Sequence, residues 1–131
     1  MADTLLKGLT QVEKSSESGL IVRNPPGAVA WDWDAADFTI DGAYHDFDCS
    51  SIVPSTAKAV IFMVNANGNA RDIFTMRPIG FSQSTAILKC QTTAAVEYGQ
   101  YIVAVTSEGL FTYGISATVA TVGLTVVGWF E

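Results

Sequence analysis

The chain has 131 residues, 49% of them hydrophobic and 15% charged, with a net charge of −6. That length suits one domain able to bury a core without disulfide or metal staples. The acidic balance argues against nucleic-acid binding through phosphate contacts. No apolar run reaches the roughly 18 residues of a membrane span, so no membrane partner is expected. A charged fraction below the usual ~25% points to surface covered by something other than water.

Residues 1–27 read as an N-terminal arm. Leu5, Leu6, Leu9 and Val12 fall at i, i+1, i+4 and i+7, a short amphipathic pattern. The polar break "SSESG" follows, then "LIVR", then "NPPG", whose prolines can continue neither a helix nor a central strand. These apolar pieces are too few to form a core alone. The plain reading is a disordered tail; the functional one is an arm docking on a neighbouring subunit or partner through Leu5, Leu6, Leu9 and Val12. The start of the chain lacks the basic and apolar regions of a secretory signal, so synthesis in the cytoplasm is expected.

From residue 28 to 131 the pattern is β throughout. Short β-branched and aromatic runs predict strands at Ala28–Trp31, Phe38–Ile40, Tyr44–Cys49, Lys58–Asn65, Ile73–Arg77, Ser84–Gln91, Gln100–Thr106, Leu110–Ser116 and Thr118–Phe130. "NANGN" and "SEGL" read as hairpin turns, with Gly68 and Gly109 supplying positive φ. The predicted fold is all-β, an antiparallel β-sandwich of jelly-roll-like character with an extended N-terminal arm. In the last strand, Ala120, Val122, Leu124, Val126 and Phe130 share one face, and Val119, Val127 and Trp129 the other. Both that strand and "AVIFMV" are apolar on two faces, so each needs two covers. One is the core. The second is either another subunit, which makes Val119, Val127 and Trp129 candidate oligomer-interface residues, or a loop or the arm folded back.

The stretch "WDWDAADFTIDGAYHDFD", Trp31 to Asp48, holds six aspartates and the only histidine. The rest of the chain is charge-balanced, so this stretch carries the whole net charge. It fails the calcium-loop pattern, with Ala36, Asp37 and Ala43 where ligand, glycine and glutamate belong. An irregular cation site from Asp32, Asp34 and Asp37 stays open. Asp46 and Asp48 share a strand face, as a glycosidase carboxylate pair could, but an exposed sheet face is more often simply solvated. His45, Phe47 and Cys49 take the opposite, inward face, with His45 as a rim or hydrogen-bonded residue.

One histidine and no G-x-S-x-G elbow leave no triad. Two distant cysteines and one histidine do not make a zinc site. "NGNARD" is not a phosphate loop. No catalytic residue, metal or cofactor is therefore assigned, and the chain is not expected to be an enzyme. Cys49 and Cys90 are expected as buried free thiols, with a disulfide as the alternative. Trp31, Trp33, Tyr98, Tyr101 and Tyr113 could serve a sugar-binding surface, although strand aromatics usually belong to the core.

The segment "DGAYHDFDCSSIVPSTAKAVIFMV" runs from an acidic turn through a strand and the "SSIVP" turn into an apolar strand. Together with the closing "LTVVGWFE", it resembles small β-sandwich modules of tailed-bacteriophage virion proteins, those of head decoration proteins and of head or tail fibres. The likeness spans roughly residues 28–131, most specifically 41–64 and 123–131. It transfers no catalytic residue. It implies a virion-surface protein, often a homotrimer, whose partner is the major capsid protein. The lone compact domain and the absence of a coiled-coil shaft favour a capsid decoration, or cement, protein. The alternative is a fibre or receptor-binding module recognising a host-surface glycan.

Overall fold

The computed structural model describes residues 19–23, 31–82, 88–91 and 96–131. Two antiparallel sheets pack face to face as a β-sandwich. The strands are β1 (Leu20–Val22), β2 (Trp33–Asp34), β3 (Tyr44–Asp48), β4 (Ala59–Asn67), β5 (Ile73–Arg77), β6 (Leu88–Gln91), β7 (Glu97–Ala104), β8 (Leu110–Ile115) and β9 (Thr121–Phe130). The five-stranded sheet runs β1-β9-β4-β7, with β2 also on β9; the four-stranded sheet runs β3-β8-β5-β6.

Period-two alternation builds the core from both sheets. From β4, Val60, Phe62, Val64 and Ala66 point inward, beside Val103 of β7 and Val122, Leu124 and Val126 of β9; all are buried. The four-stranded sheet answers with Phe47, Phe74, Met76, Phe111, Tyr113 and Ile115. Phe62 and Phe111 meet across the interface with ring centroids 5.2 Å apart. Phe38 stacks on Phe47 at 4.8 Å and meets Tyr113 edge-on at 5.1 Å.

The "SSIVP" turn is anchored by the Cys49 carbonyl, which accepts from the Ile52 and Val53 amides at 3.1 and 3.0 Å. It drops Val53 and Ala57 into the core. Inward His45, Phe47 and Cys49 alternate with exposed Tyr44, Asp46 and Asp48, as the sequence predicts, with His45 half-buried.

Several expectations are corrected. The sequence places "LIVR" inside the arm, yet Leu20–Val22 forms an edge strand paired with β9. Phe38–Ile40 is not a strand. It follows a 3₁₀ turn, Ala35–Asp37, closed by a capping box in which Asp34 and Asp37 bond each other's ends. The strand nearby is Trp33–Asp34. "NANGN" and "SEGL" are not hairpins, because β4 and β5, and likewise β7 and β8, lie in different sheets. The connection after β4 places its positive φ at Arg71 (76°), not at Gly68. Gly109 does take a positive φ of 79°, and a Cβ there would press on Ser50.

The last strand begins at Thr121. Val119 precedes it in a turn, its amide bonded to the Ser116 carbonyl, and it is buried in the chain's own core. A β-bulge then changes the parity of β9. Phe62 pairs with Val126 but Ile61 pairs with Gly128, so Val127 is the extra residue. Beyond it Trp129 pairs with inward Val60 and packs against the core, while Phe130 pairs with Ala59 on the outer side. Unbroken alternation puts these two aromatics on the opposite faces.

Candidate functional site

The acidic stretch is used locally, aspartate by aspartate. Asp32 is its one sheltered carboxylate. β2 and β1 both flank β9 but leave Thr125–Val127 between them without a strand neighbour on that edge. Asp32 and Arg23 fill the gap. The Asp32 carboxylate accepts from the Val126 amide at 2.8 Å and pairs with Arg23 at 2.5 Å. Arg23 donates to the Val126 carbonyl through its guanidinium (3.2 Å) and to the Val127 carbonyl through its amide (3.0 Å). This clamp satisfies the backbone of the bulge that ladder pairing leaves open.

The other five aspartates are exposed. Asp34 and Asp37 close the 3₁₀ turn. Asp41 accepts from the Ala43 amide and contacts His45 Nε2, each at 2.9 Å. The hydrogen bond from His45, then that from Ala43, holds its carboxyl below the usual value. Asp46 accepts from the Thr112 hydroxyl at 3.2 Å. Asp48 accepts from the Ser50 amide at 2.8 Å, and its bonds to Ser50 lower its pKa too. Asp32 thus serves the β9 bulge, while Asp34 and Asp37 together close the 3₁₀ turn. Among the described residues no three His, Cys, Asp or Glu side chains are placed to hold a metal ion.

Cys49 is a buried free thiol that donates to the Gly109 carbonyl at 3.2 Å. Burial, and then the charge of Asp48, pushes its pKa up to about 11. That is the environment of an inert core cysteine rather than a nucleophile.

The two outer faces of the sandwich differ in chemistry. Outward positions of the four-stranded sheet include Tyr44, Asp46 and Asp48 on β3 and Arg77 on β5. The Arg77 guanidinium lies 3.8 Å from the centroid of the Tyr44 ring. Beside this stack is a cleft of about 80 Å³ lined by Tyr44, Ile73, Thr75 and Gly114 among others. Small-molecule pockets usually start at about 300 Å³.

The outward positions of the five-stranded sheet carry no charge on four of its strands. Register places there Leu20 and Val22 of β1, Thr121, Gly123, Thr125, Gly128 and Phe130 of β9, Ala59, Ile61, Met63, Asn65 and Asn67 of β4, and Tyr98, Gln100, Ile102 and Ala104 of β7. Met63 is 41% exposed, Ile102 51%, Tyr98 67% and Val22 71%, values that leave large apolar groups in water. Trp31 packs over Gly123 on the same face, where a Cβ would collide with its ring. Of the predicted interface residues, only Val127 is left outside the core-facing set, half-buried at the bulge. The apolar outer face is instead centred on Met63 and Ile102. The alternation in Glu97–Ala104 carries the signal for it, since inward Tyr101 and Val103 oblige Tyr98, Gln100 and Ile102 to face out. Leu5, Leu6, Leu9 and Val12 lie outside the described residues, as does the side chain of Cys90.

A scan against protein-family models and a search of curated proteins both find no match to this chain.

Proposed function

We propose that this chain is a structural protein of a tailed-phage virion, a homotrimeric decoration protein on the capsid exterior with the major capsid protein as its partner. Its work is to bury surface across junctions of the shell. The observation that carries the reading is the outer face of the five-stranded sheet, uncharged over β1, β4, β7 and β9, with Met63, Tyr98 and Ile102 exposed on it. A protein that acts by covering and being covered needs such a surface, because burying apolar area is worth about 25 cal/mol per Å² and burying unpaired charge is costly. The resemblance over residues 41–64 and 123–131 supports the same reading. The acidic residues on the other sheet face solvent or basic residues of the shell, and Leu5, Leu6, Leu9 and Val12 supply arm contacts. A set of such contacts, each weak, gives tight binding when three subunits engage together.

The test is co-sedimentation of the purified protein with phage capsids, followed by electron microscopy of the decorated particle. Saturable, regularly placed density is expected. Deleting residues 1–19 is expected to weaken that binding while the sandwich stays folded. Saturable binding to cells or to a glycan array, with none to capsids, overturns the decoration role in favour of a receptor-binding module.

A further inference from the structure

We infer that the outer face of the five-stranded sheet is the surface through which copies of this chain associate, each copy turning Ile61, Met63, Tyr98 and Ile102 toward a common axis. The inference rests on the reading of the chain as a surface-burying structural protein, and it names the occupant of that surface.

Contiguity is the first argument. Ile61 and Ile102 are direct cross-strand partners, as are Met63 and Gln100, and Asn65 and Tyr98. Met63 therefore sits diagonally between Ile102 and Tyr98, and the four apolar side chains form one patch across β4 and β7. Phe130 and Val22 extend it toward β9 and β1.

Charge is the second. The protein carries −6, all of it in residues 31–48, so two copies repel where those aspartates face each other. The outward positions of β1, β4, β7 and β9 hold no Asp, Glu, Lys or Arg, and the one charge that register adds is Asp34 of β2, opposite Gly123 and outside the patch on β4 and β7. Asp46 and Asp48 lie on the opposite sheet. Copies meeting through this face desolvate no charge on those strands and point these two aspartates away from one another. A strongly basic partner gains nothing from an uncharged surface, whereas a second identical face is its natural complement.

Area is the third. β4, β7 and β9, about 9 residues each at about 3.3 Å rise and about 4.8 Å spacing, together with the short β1, give a face of roughly 500 Å². Two such faces together cover roughly 1,000 Å², the lower bound for a specific interface.

The experiment is multi-angle light scattering of the full chain over a concentration series, with Met63→Glu and Ile102→Lys as variants and Asp46→Asn as the control on the other sheet. Circular dichroism and a melting curve accompany each, and exposed Met63 and Ile102 are expected to tolerate the change without unfolding. The wild type and Asp46→Asn are expected to run as the same oligomer. A charge buried at the contact is expected to raise the dissociation constant by about 100-fold, leaving folded monomer. Mixing Met63→Glu with Met63→Lys is expected to restore the oligomer. A wild type that stays monomeric at about 100 μM, where even weak interfaces associate, overturns the inference, and so does an oligomer indifferent to both variants. A monomer that still decorates capsids sinks this inference alone; an oligomer sensitive to Met63→Glu that binds no capsid sinks the decoration reading alone.

Discussion

The outer face of the four-stranded sheet presents Asp46, Asp48 and Arg77, while that of the five-stranded sheet presents Met63, Tyr98 and Ile102, with no charged side chain at the outward positions of β1, β4, β7 and β9. Their inner faces are alike, both apolar and both buried. The difference shows where a sequence with few charges spends them. The acidic residues concentrate on one side and at the 3₁₀ turn, and the other side is left in the chemistry of a contact surface. Neither sheet needs this contrast in order to fold, since the core is complete between them.

The contrast can be broken most forcefully inside the sandwich. Phe62→Ala removes a fully buried ring that meets Phe111; it is expected to cost about 3–5 kcal/mol in a denaturant titration. Met63→Ala, one residue along the same strand but on the outer face, is expected to change stability by no more than about 0.5 kcal/mol. Equal losses at the two positions contradict the assigned parity of β4.

Next in size is the clamp on the bulge. Asp32→Ala leaves the Val126 amide and the Arg23 guanidinium, 19% exposed, without their shared carboxylate; a loss of about 2 kcal/mol is expected. Asp46→Ala on the exposed face is expected to cost no more than about 0.5 kcal/mol. The same denaturant titration compares the two aspartates directly.

Cys49 gives a smaller effect that appears at high pH. Folding favours its neutral thiol and raises its pKa from 9.0 to about 11. The unfolded chain therefore loses this proton first. The contribution to stability is fully present below pH 9 and is lost as pH rises from 9 toward 11. In a Cys90→Ser background, a thiol reagent at pH 8 is expected to label the protein only on unfolding. Rapid labelling of the folded protein counts against the buried placement.

The smallest effect lies at acid pH. Asp41 and Asp48 have carboxyls held below the ordinary 3.8 in the folded chain. Their contribution is present above that value and is lost as pH falls through the lowered one. Both are exposed, so the change is slight. Melting temperatures measured below pH 4 are expected to fall less steeply in an Asp41→Asn, Asp48→Asn double variant than in the wild type.

Much of this was legible in order along the chain. Alternation in Tyr44–Asp48 gives the inward Phe47 and outward Asp46 directly, and the doubly apolar β4 announces a need for cover on two sides. The candidate surface is half legible: the sequence shows that β4 needs an outer partner, but its alternation puts Val119 and Trp129 on a face that the fold turns inward. The bulge at Val127 accounts for Trp129, because one extra residue reverses every later position in the strand.

Composition and period-two patterning determined by themselves that this chain makes strands, which side chains of most strands share a face, and that its net charge is confined to residues 31–48. These are local properties, set within a few residues. Only the tertiary structure decided that β4 and β5 part into different sheets, that Leu20–Val22 joins β9, and that Asp32 bonds the backbone of a bulge. Those outcomes depend on groups far apart in sequence, as Arg23, Asp32 and Val126 are. A backbone amide left open by a bulge has no signature until the strand beside it is in place.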